Sequence, residues 1–281
     1  MSEASKASDF PGPRTTRRMV EKLAPWFHNL HLPDGTCTAP DHFLGDYPAY
    51  KWDELNRALP ADLNGWSVLD IGCNAGFYSF ELARRGARVT AIDSNPHYLR
   101  QARWAAGLFG LAECIEFRCQ QLYTLAAEEQ TYDLVLFLGV LYHLRYPLLG
   151  LDIAARKTHG LLGLLGLLLP GTEVFPDTDG RAFDDREIMR HPAWPKMAFI
   201  EGRFADDPTV WWIPNFACLE AMLRSCGLRI VANPGVELYV CAPVSEADGI
   251  RAGNEEYAAV VGGVPVADGA PAGSGPTGDE S

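Results

Sequence analysis

Hydrophobic positions along the chain follow two alternating rhythms between residues 66 and 169. WSVLDIG, RVTAID, IEFRC and YDLVLFLG are short, nearly continuous apolar runs, as strands buried on both faces should be. Between them, FYSFELARRG and residues 95–109 place apolar residues at helical spacing, the first closed by Gly86. Residues 147–157 predict a further helix and the Leu-rich stretch near 161–169 a fifth strand. Strands and helices alternating at these lengths predict a parallel sheet with helices on both faces. NFACLEAMLRSCG then reads as a helix capped by Asn215, and RIVANPG with VELYVCAP as a closing hairpin.

The flanks read differently. Residues 1–13 are rich in Ser, Ala, Pro and Gly, and disorder is expected there. Residues 14–51 form an expected N-terminal extension. Its helical pattern over 14–30 puts Met19, Leu23 and Phe27 on one stripe, with Pro25 as a candidate break. A structured loop follows over 31–50, and a short helix is expected at 52–60. The main domain is expected to run from 52 to 244. Residues 171–210 are rich in Asp, Pro and Arg and read as a lid insertion. Residues 245–281 are rich in Ala, Gly, Pro and acids and read as a disordered acidic tail.

The chain has 281 residues, and 36 acids against 24 bases give a formal charge of −12. The tail alone contributes −6, so the body is acidic too. That balance argues against a general nucleic-acid coat or a basic membrane-surface protein. The most apolar run, GLLGLLGLLLPG at 160–171, falls short of the roughly 20 residues needed to span a bilayer. Seven scattered cysteines without a CxxC pair read as reduced thiols, so a cytoplasmic location is expected. The N-terminal segment has no apolar core of signal-peptide length.

The strongest chemical signal is the turn after the first strand, Asp70-Ile71-Gly72-Cys73-Asn74-Ala75-Gly76. Small residues let a ligand approach the backbone where a helix begins. The spacing is neither GxGxxG nor that of a phosphate-binding loop. Asp93 ends the second strand, where a carboxylate can accept hydrogen bonds from a ribose diol. Cys119-Gln120 ends the third, placed to meet an adenine ring, with the Gln carbonyl as acceptor for its amine.

This constellation resembles the class I S-adenosylmethionine-dependent methyltransferases over residues 52–244. The resemblance implies a Rossmann-like, doubly wound sheet of seven strands, one of them antiparallel. It also implies S-adenosylmethionine as cofactor, with Asp70 and the backbone of Gly72, Asn74 and Gly76 on its methionine part and Asp93 on its ribose. A narrower likeness rests on Trp26-Phe27-His28, Lys51-Trp52, GVLYH at 139–143 with Arg145 and Pro147, and Trp212-Ile213-Pro214-Asn215. Together with the DIGCNAGFYS turn, these resemble the bacterial tRNA wobble-uridine methyl/carboxymethyl transferases, which alkylate 5-hydroxyuridine. Matching by position implies that Lys51, Gly72, Asp93, Ser94, Asn95, Cys119, Gln120, Leu138 and Tyr142 line the cofactor site. Carboxymethyl-transferring members of that family hold the donor's extra carboxylate with a lysine in the N-terminal segment and an arginine near the last strand. Residues 26–50 and 230–250 contain neither residue type here. An unpaired buried carboxylate is costly, so plain S-adenosylmethionine is the expected donor and methyl the expected group.

His143 follows the fourth strand beside the expected methyl group and is the candidate general base, with Tyr142 contacting the donor or orienting the acceptor. A structural reading of His143, bonded to a backbone carbonyl before Pro147, stands beside it. His28, His31, Cys37 and His42 are spaced too irregularly for a zinc site, and no metal is expected. Those histidines read instead as acceptor-pocket or packing residues. Trp194, Trp211 and Trp212 are candidates for stacking on an acceptor or for lid packing.

The expected partner is a small-molecule or nucleoside acceptor, methylated on oxygen. A tRNA partner is the specific form of this reading, weakened by the negative charge. Two basic sets bear on it: Arg14, Arg17, Arg18 and Lys22, and Arg181, Arg186, Arg190, Lys196 and Arg203. A non-catalytic S-adenosylmethionine-binding regulator is the main alternative class. An NAD-dependent oxidoreductase is disfavoured by the turn spacing. No membrane partner is expected, and the oligomeric state is open.

Overall fold

The computed structural model describes residues 12–175, 182, 184–244 and 254–262. Its centre is a seven-stranded sheet in the order β3-β2-β1-β4-β5-β9-β8. The strands are β1 (Ser67–Ile71), β2 (Arg88–Asp93), β3 (Ile115–Cys119), β4 (Tyr132–Leu138), β5 (Thr158–Leu165), β8 (Leu228–Gly235) and β9 (Leu238–Pro243). β1 pairs in parallel with β2 and β4, β2 with β3, and β4 with β5. β9 runs antiparallel to both β5 and β8, so the closing hairpin supplies the antiparallel strand. The order reverses between β1 and β4. In such sheets the crevice at the carboxyl ends of those strands is where ligands bind.

Alternation along β1 divides the core. Leu69 and Ile71 join one buried cluster with Phe137, Leu162 and Leu164, and Val68 joins the other with Leu134, Leu136 and Phe80. Helices α3 (Phe77–Ala83), α4 (Pro96–Phe109), α5 (Pro147–Lys157) and α6 (Phe216–Ser225) cover the sheet. Two of their starts follow from the sequence. Asn95 caps α4 by accepting the His97 N–H at 2.9 Å, and Asn215 caps α6 by accepting the Cys218 N–H at 3.0 Å. The first half of the run at 160–171 lies in strand β5, which is why it is so apolar.

The first helix, α1 (Pro13–Lys22), stops well before residue 30. Pro25 cannot donate to a helical ladder and disfavours helix before it. Phe27 therefore leaves the expected stripe and is 38% exposed. The loop that follows is tied by its own side chains: Asn29 Nδ2 and His31 Nε2 both meet Asp46 Oδ1, at 2.7 and 2.8 Å. Helix α2 (Ala49–Leu55) begins three residues earlier than expected and continues as a 3-10 turn over Asn56–Ala58. β5 begins and ends earlier than the Leu-rich stretch implies, and its end is set where the Gly166 N–H turns to the Glu237 carbonyl at 2.9 Å.

Most of the lid segment is described. It holds a 3-10 turn (Arg186–Arg190) and β6 (Met197–Phe199), which pairs antiparallel with β7 (Trp212–Pro214). Arg181 lies outside the described residues, as do residues 1–11 and most of the tail. Within the tail, helix α7 (Asn254–Val260) departs from the expected disorder. Glu255 and Glu256 favour its N-terminal turn, and the Arg156 guanidinium lies 3.9 Å from the centre of the Tyr257 ring. Among the described residues, no helix is long and apolar enough to cross a membrane.

Candidate active site

The turn after β1 is held across the switch point by β2. The N–H groups of Gly72 and Cys73 donate to the Ile92 carbonyl at 2.8 and 3.0 Å. The Asn74 N–H donates to Asp93 Oδ2 at 2.9 Å, and the Asn95 N–H to Asp93 Oδ1 at 2.8 Å. Each Asp93 oxygen thus keeps lone-pair capacity for a further donor. Burial raises the Asp93 pKa, opposed by those two N–H groups. Gly72 sits at φ +73°, and a Cβ there would lie 2.5 Å from Val140 Cγ2. The turn and the end of β4 therefore touch, and only glycine fits between them.

Asp70 lies beneath the turn. Its side chain is 1% exposed and its Oδ2 accepts the Ser79 hydroxyl of α3 at 2.6 Å. Burial raises its pKa to about 6, with the Ser79 hydrogen bond opposing and the Asp93 charge adding. Asp70 braces α3 against β1.

At the third strand, the Gln120 N–H donates to the Asp93 carbonyl at 3.0 Å, joining the ends of β2 and β3. The Gln120 side-chain amide nitrogen donates to Thr124 Oγ1 at 3.1 Å and Glu128 Oε1 at 2.5 Å, leaving its carbonyl oxygen as the unused group. The exposed Cys119 thiol faces the Ser94 carbonyl at 3.9 Å. Lys51 is a different case: its ammonium pairs with Glu54 at 3.2 Å, within its own helix.

β4 ends in buried Leu138, then a 3-10 turn, Leu141–His143. A Cβ on Gly139 would lie 3.3 Å from the Tyr142 hydroxyl and 3.9 Å from that of Tyr47. Burial drives the Tyr142 pKa up, with Tyr47, Asp207 and Glu237 adding. Tyr47 comes from the N-terminal loop, and burial pushes its pKa up to about 12. Beside it His28 is enclosed by the Tyr47, Phe77 and Tyr78 rings, at 6.0, 6.4 and 6.1 Å. Burial lowers the His28 pKa to about 3, so this imidazole is neutral. His28 Nδ1, His42 Nε2 and the Tyr78 hydroxyl are buried without hydrogen-bond partners among the described residues. The Tyr47 and Tyr78 hydroxyls are close enough to perturb one another, but their geometry falls short of a hydrogen bond. No group of three or more His, Cys, Asp or Glu side chains among the described residues could hold a metal ion.

His143 is met by the lid. Its Nδ1 lies 2.9 Å from Thr209 Oγ1 and 4.0 Å from Asp207 Oδ2, and the Thr209 hydroxyl donates to Asp207 Oδ1 at 2.5 Å. Burial lowers the His143 pKa, while Asp207 and the Thr209 backbone pull it up. Sequence reading missed Asp207 and Thr209, along with Tyr47 and Tyr78. The backbone carbonyl of Tyr142 accepts the Trp211 N–H at 2.8 Å, so lid and turn are hydrogen-bonded. Trp194 packs within the lid, while Trp211 and Trp212, just after it, pack against Arg145 and Phe199. Arg145 lies over the Trp211 and Phe199 rings at 4.6 and 5.4 Å, Trp212 is 4.8 Å from Phe199, and Trp194 is 5.5 Å from Phe175.

Residues 68–156, which span the turn, β2, β3, β4 and α5, match the family model described as a methyltransferase domain. The sheet has the Rossmann-like fold of S-adenosylmethionine-dependent methyltransferases, and the match lies on the residues that build the turn, Asp93 and the end of β4. It is 28% identical over 223 residues to the tRNA U34 carboxymethyltransferase of Cellvibrio japonicus, covering 75% of this chain and 58% of that one. It is 39% identical over 127 residues to the ubiquinone biosynthesis O-methyltransferase of Methylocella silvestris, covering 45% of this chain and 44% of that one. The chain thus spans about half the length of these curated relatives. The crystal structure of the N-terminal domain of EvdMO1, determined in the presence of SAH and D-fucose, shares its fold. The TM-score is 0.59 at 21% identity, over 86% of this chain and 100% of that one.

Proposed function

We propose that the protein transfers the methyl group of S-adenosylmethionine to an oxygen of a small-molecule or nucleoside acceptor. The observation that carries this reading is the Asp93 carboxylate, hydrogen-bonded to the turn after β1 at 2.9 Å and still able to accept from a diol. The residues present fit the donor. Asp93 takes the ribose hydroxyls, Ser94, Asn95, Cys119 and Gln120 flank the adenine end, and Gly72, Asn74, Gly76, Leu138 and Tyr142 line the methionine and sulfonium end. Asp70 acts behind them through Ser79. The bound sulfonium donor supplies an electrophilic methyl group. His143 Nε2 takes the acceptor's hydroxyl proton as the new O–C bond forms and the C–S bond breaks.

Two observations favour the plain donor over a carboxylated one. Lys51, which could neutralise an extra carboxylate, is already paired with Glu54. Glu237, at the turn into β9, adds negative charge close enough to raise the Tyr142 pKa. A second carboxylate there would meet repulsion. The competing reading, carboxymethyl transfer to a tRNA wobble uridine, is supported by the name of the Cellvibrio japonicus relative. Transfer assays run in parallel with labelled S-adenosylmethionine and with its labelled carboxylated analogue separate them. The candidate acceptors are 5-hydroxyuridine, phenols, sugars and unmodified tRNA. Methyl transfer to an acceptor hydroxyl supports the proposal, and product formation only with the carboxylated donor overturns it.

A further inference from the structure

We propose that the lid residues Thr209 and Asp207 are positioning residues that fix His143 in its Nδ1–H tautomer and leave Nε2 as the proton acceptor. This rests on the reading of His143 as the base and names what prepares it.

The argument is one of proton counting. A hydroxyl has one proton, and an ionised carboxylate only accepts. The Thr209 hydroxyl lies 2.5 Å from Asp207 Oδ1, so its proton is committed there. Asp207 is ionised: burial pushes its pKa up, but the Thr209 hydroxyl and N–H hold it below the usual range. Thr209 Oγ1 therefore offers only lone pairs to His143 Nδ1, 2.9 Å away, and Nδ1 must carry the hydrogen. With Nδ1 engaged by Thr209 Oγ1, Nε2 is the ring nitrogen left to take the acceptor's proton. Once Nε2 gains a proton, Asp207 Oδ2 at 4.0 Å from Nδ1 supplies the compensating charge.

The lid tip is shaped for this. Phe204 and Asp207 exchange backbone hydrogen bonds at 3.0 and 2.9 Å around Ala205 and Asp206, both at positive φ. The Thr209 N–H also donates to Asp207 Oδ1, at 2.7 Å. Beside His143 stand the Tyr142 ring, tilted by 51° with its centroid 4.2 Å away, and, two residues along, Arg145, whose guanidinium lies over the Trp211 ring. Asp207 also acts on Tyr98 of α4 and on Tyr142, so its charge is felt across the mouth of the site.

Nitrogen-15 NMR of the full chain tests this, with the His143 signals assigned by their loss in His143→Gln. Expected at pH 8 is the Nδ1–H tautomer in the wild type and in Thr209→Ser. In Thr209→Val the population moves to Nε2–H. In Asp207→Asn the His143 pKa falls by about one pH unit, as loss of a nearby charge at a partly solvated site predicts. An Nε2–H wild type, or a Thr209→Val variant with unchanged tautomer and native amide dispersion, overturns the proposal. Titrating S-adenosylhomocysteine into the same samples keeps the two readings apart. Absent donor binding defeats the methyltransferase reading whatever the tautomer, and equal binding by all variants with a tautomer change supports the positioning role.

Discussion

Asp93 and Asn74 are joined through a carboxylate and a backbone N–H at 2.9 Å, so the end of β2 fixes the shape of the turn after β1. The same carboxylate is the proposed ribose acceptor. Asp93→Ala removes both roles and should weaken S-adenosylhomocysteine binding more than tenfold by calorimetry. Asp93→Asn keeps an acceptor oxygen but loses the charge, and should fall between. Equal affinity for wild type and Asp93→Ala would exclude Asp93 from the donor site.

Gly72→Ala meets two penalties. The φ of +73° costs a residue with a Cβ on the order of 1 kcal/mol. The new Cβ also falls 2.5 Å from Val140 Cγ2. A destabilisation of roughly 2–3 kcal/mol in urea unfolding is expected. Adding Val140→Ala should recover the steric part alone. Full recovery would show that the backbone conformation costs nothing.

The buried His28 sets an acid limb. Its pKa is about 3 when folded against 6.5 for an unperturbed imidazole. The unfolded chain binds more protons in that interval, so this contribution is complete above pH 6.5 and is lost as pH falls towards 3. The loss is at most about 5 kcal/mol. His28→Phe fills the same ring cluster without a titrating group. Its stability should fall less steeply between pH 6.5 and 4 than that of the wild type, measured by denaturant melts.

Asp70 carries the opposite sign. Its pKa rises from 3.8 to about 6 on folding. Its contribution is complete below pH 3.8 and is lost as pH rises through 6. At neutral pH the buried charge costs up to about 3 kcal/mol. Asp70→Asn, which can still accept from Ser79, should raise the melting temperature at pH 7.5 and not at pH 3.5. An unchanged or lower value at pH 7.5 would mean that ionised Asp70 carries no such cost.

The strands of the main sheet were legible because central parallel strands must be apolar on both faces and end where the chain turns; their order across the sheet was not read from the sequence. The turn glycines and Asp93 were legible because their spacing is local. Contacts made by long closures were not. Thr209 reaches His143 across 66 residues, from a polar stretch with no periodicity to mark it. Resemblance alone places Lys51 in the cofactor site, and that reading omits its pairing with Glu54 one helical turn on. Asp70 reads as a ligand-facing acid, yet strand alternation puts it on the face covered by α3, where Ser79 takes it. Helix α7 was missed because seven residues among Gly, Ala and acids leave almost no apolar pattern, and its tie to the body is one tyrosine under Arg156.

Calorimetric titration of the purified chain with S-adenosylmethionine, its carboxylated analogue and NAD is the most direct test of the proposed donor. The predicted result is saturable binding of S-adenosylmethionine, clearly tighter than the carboxylated form, and none of NAD. Preference for the carboxylated form would contradict the reading of Lys51 and Glu237, and binding of none of the three by a folded protein would contradict the donor site itself.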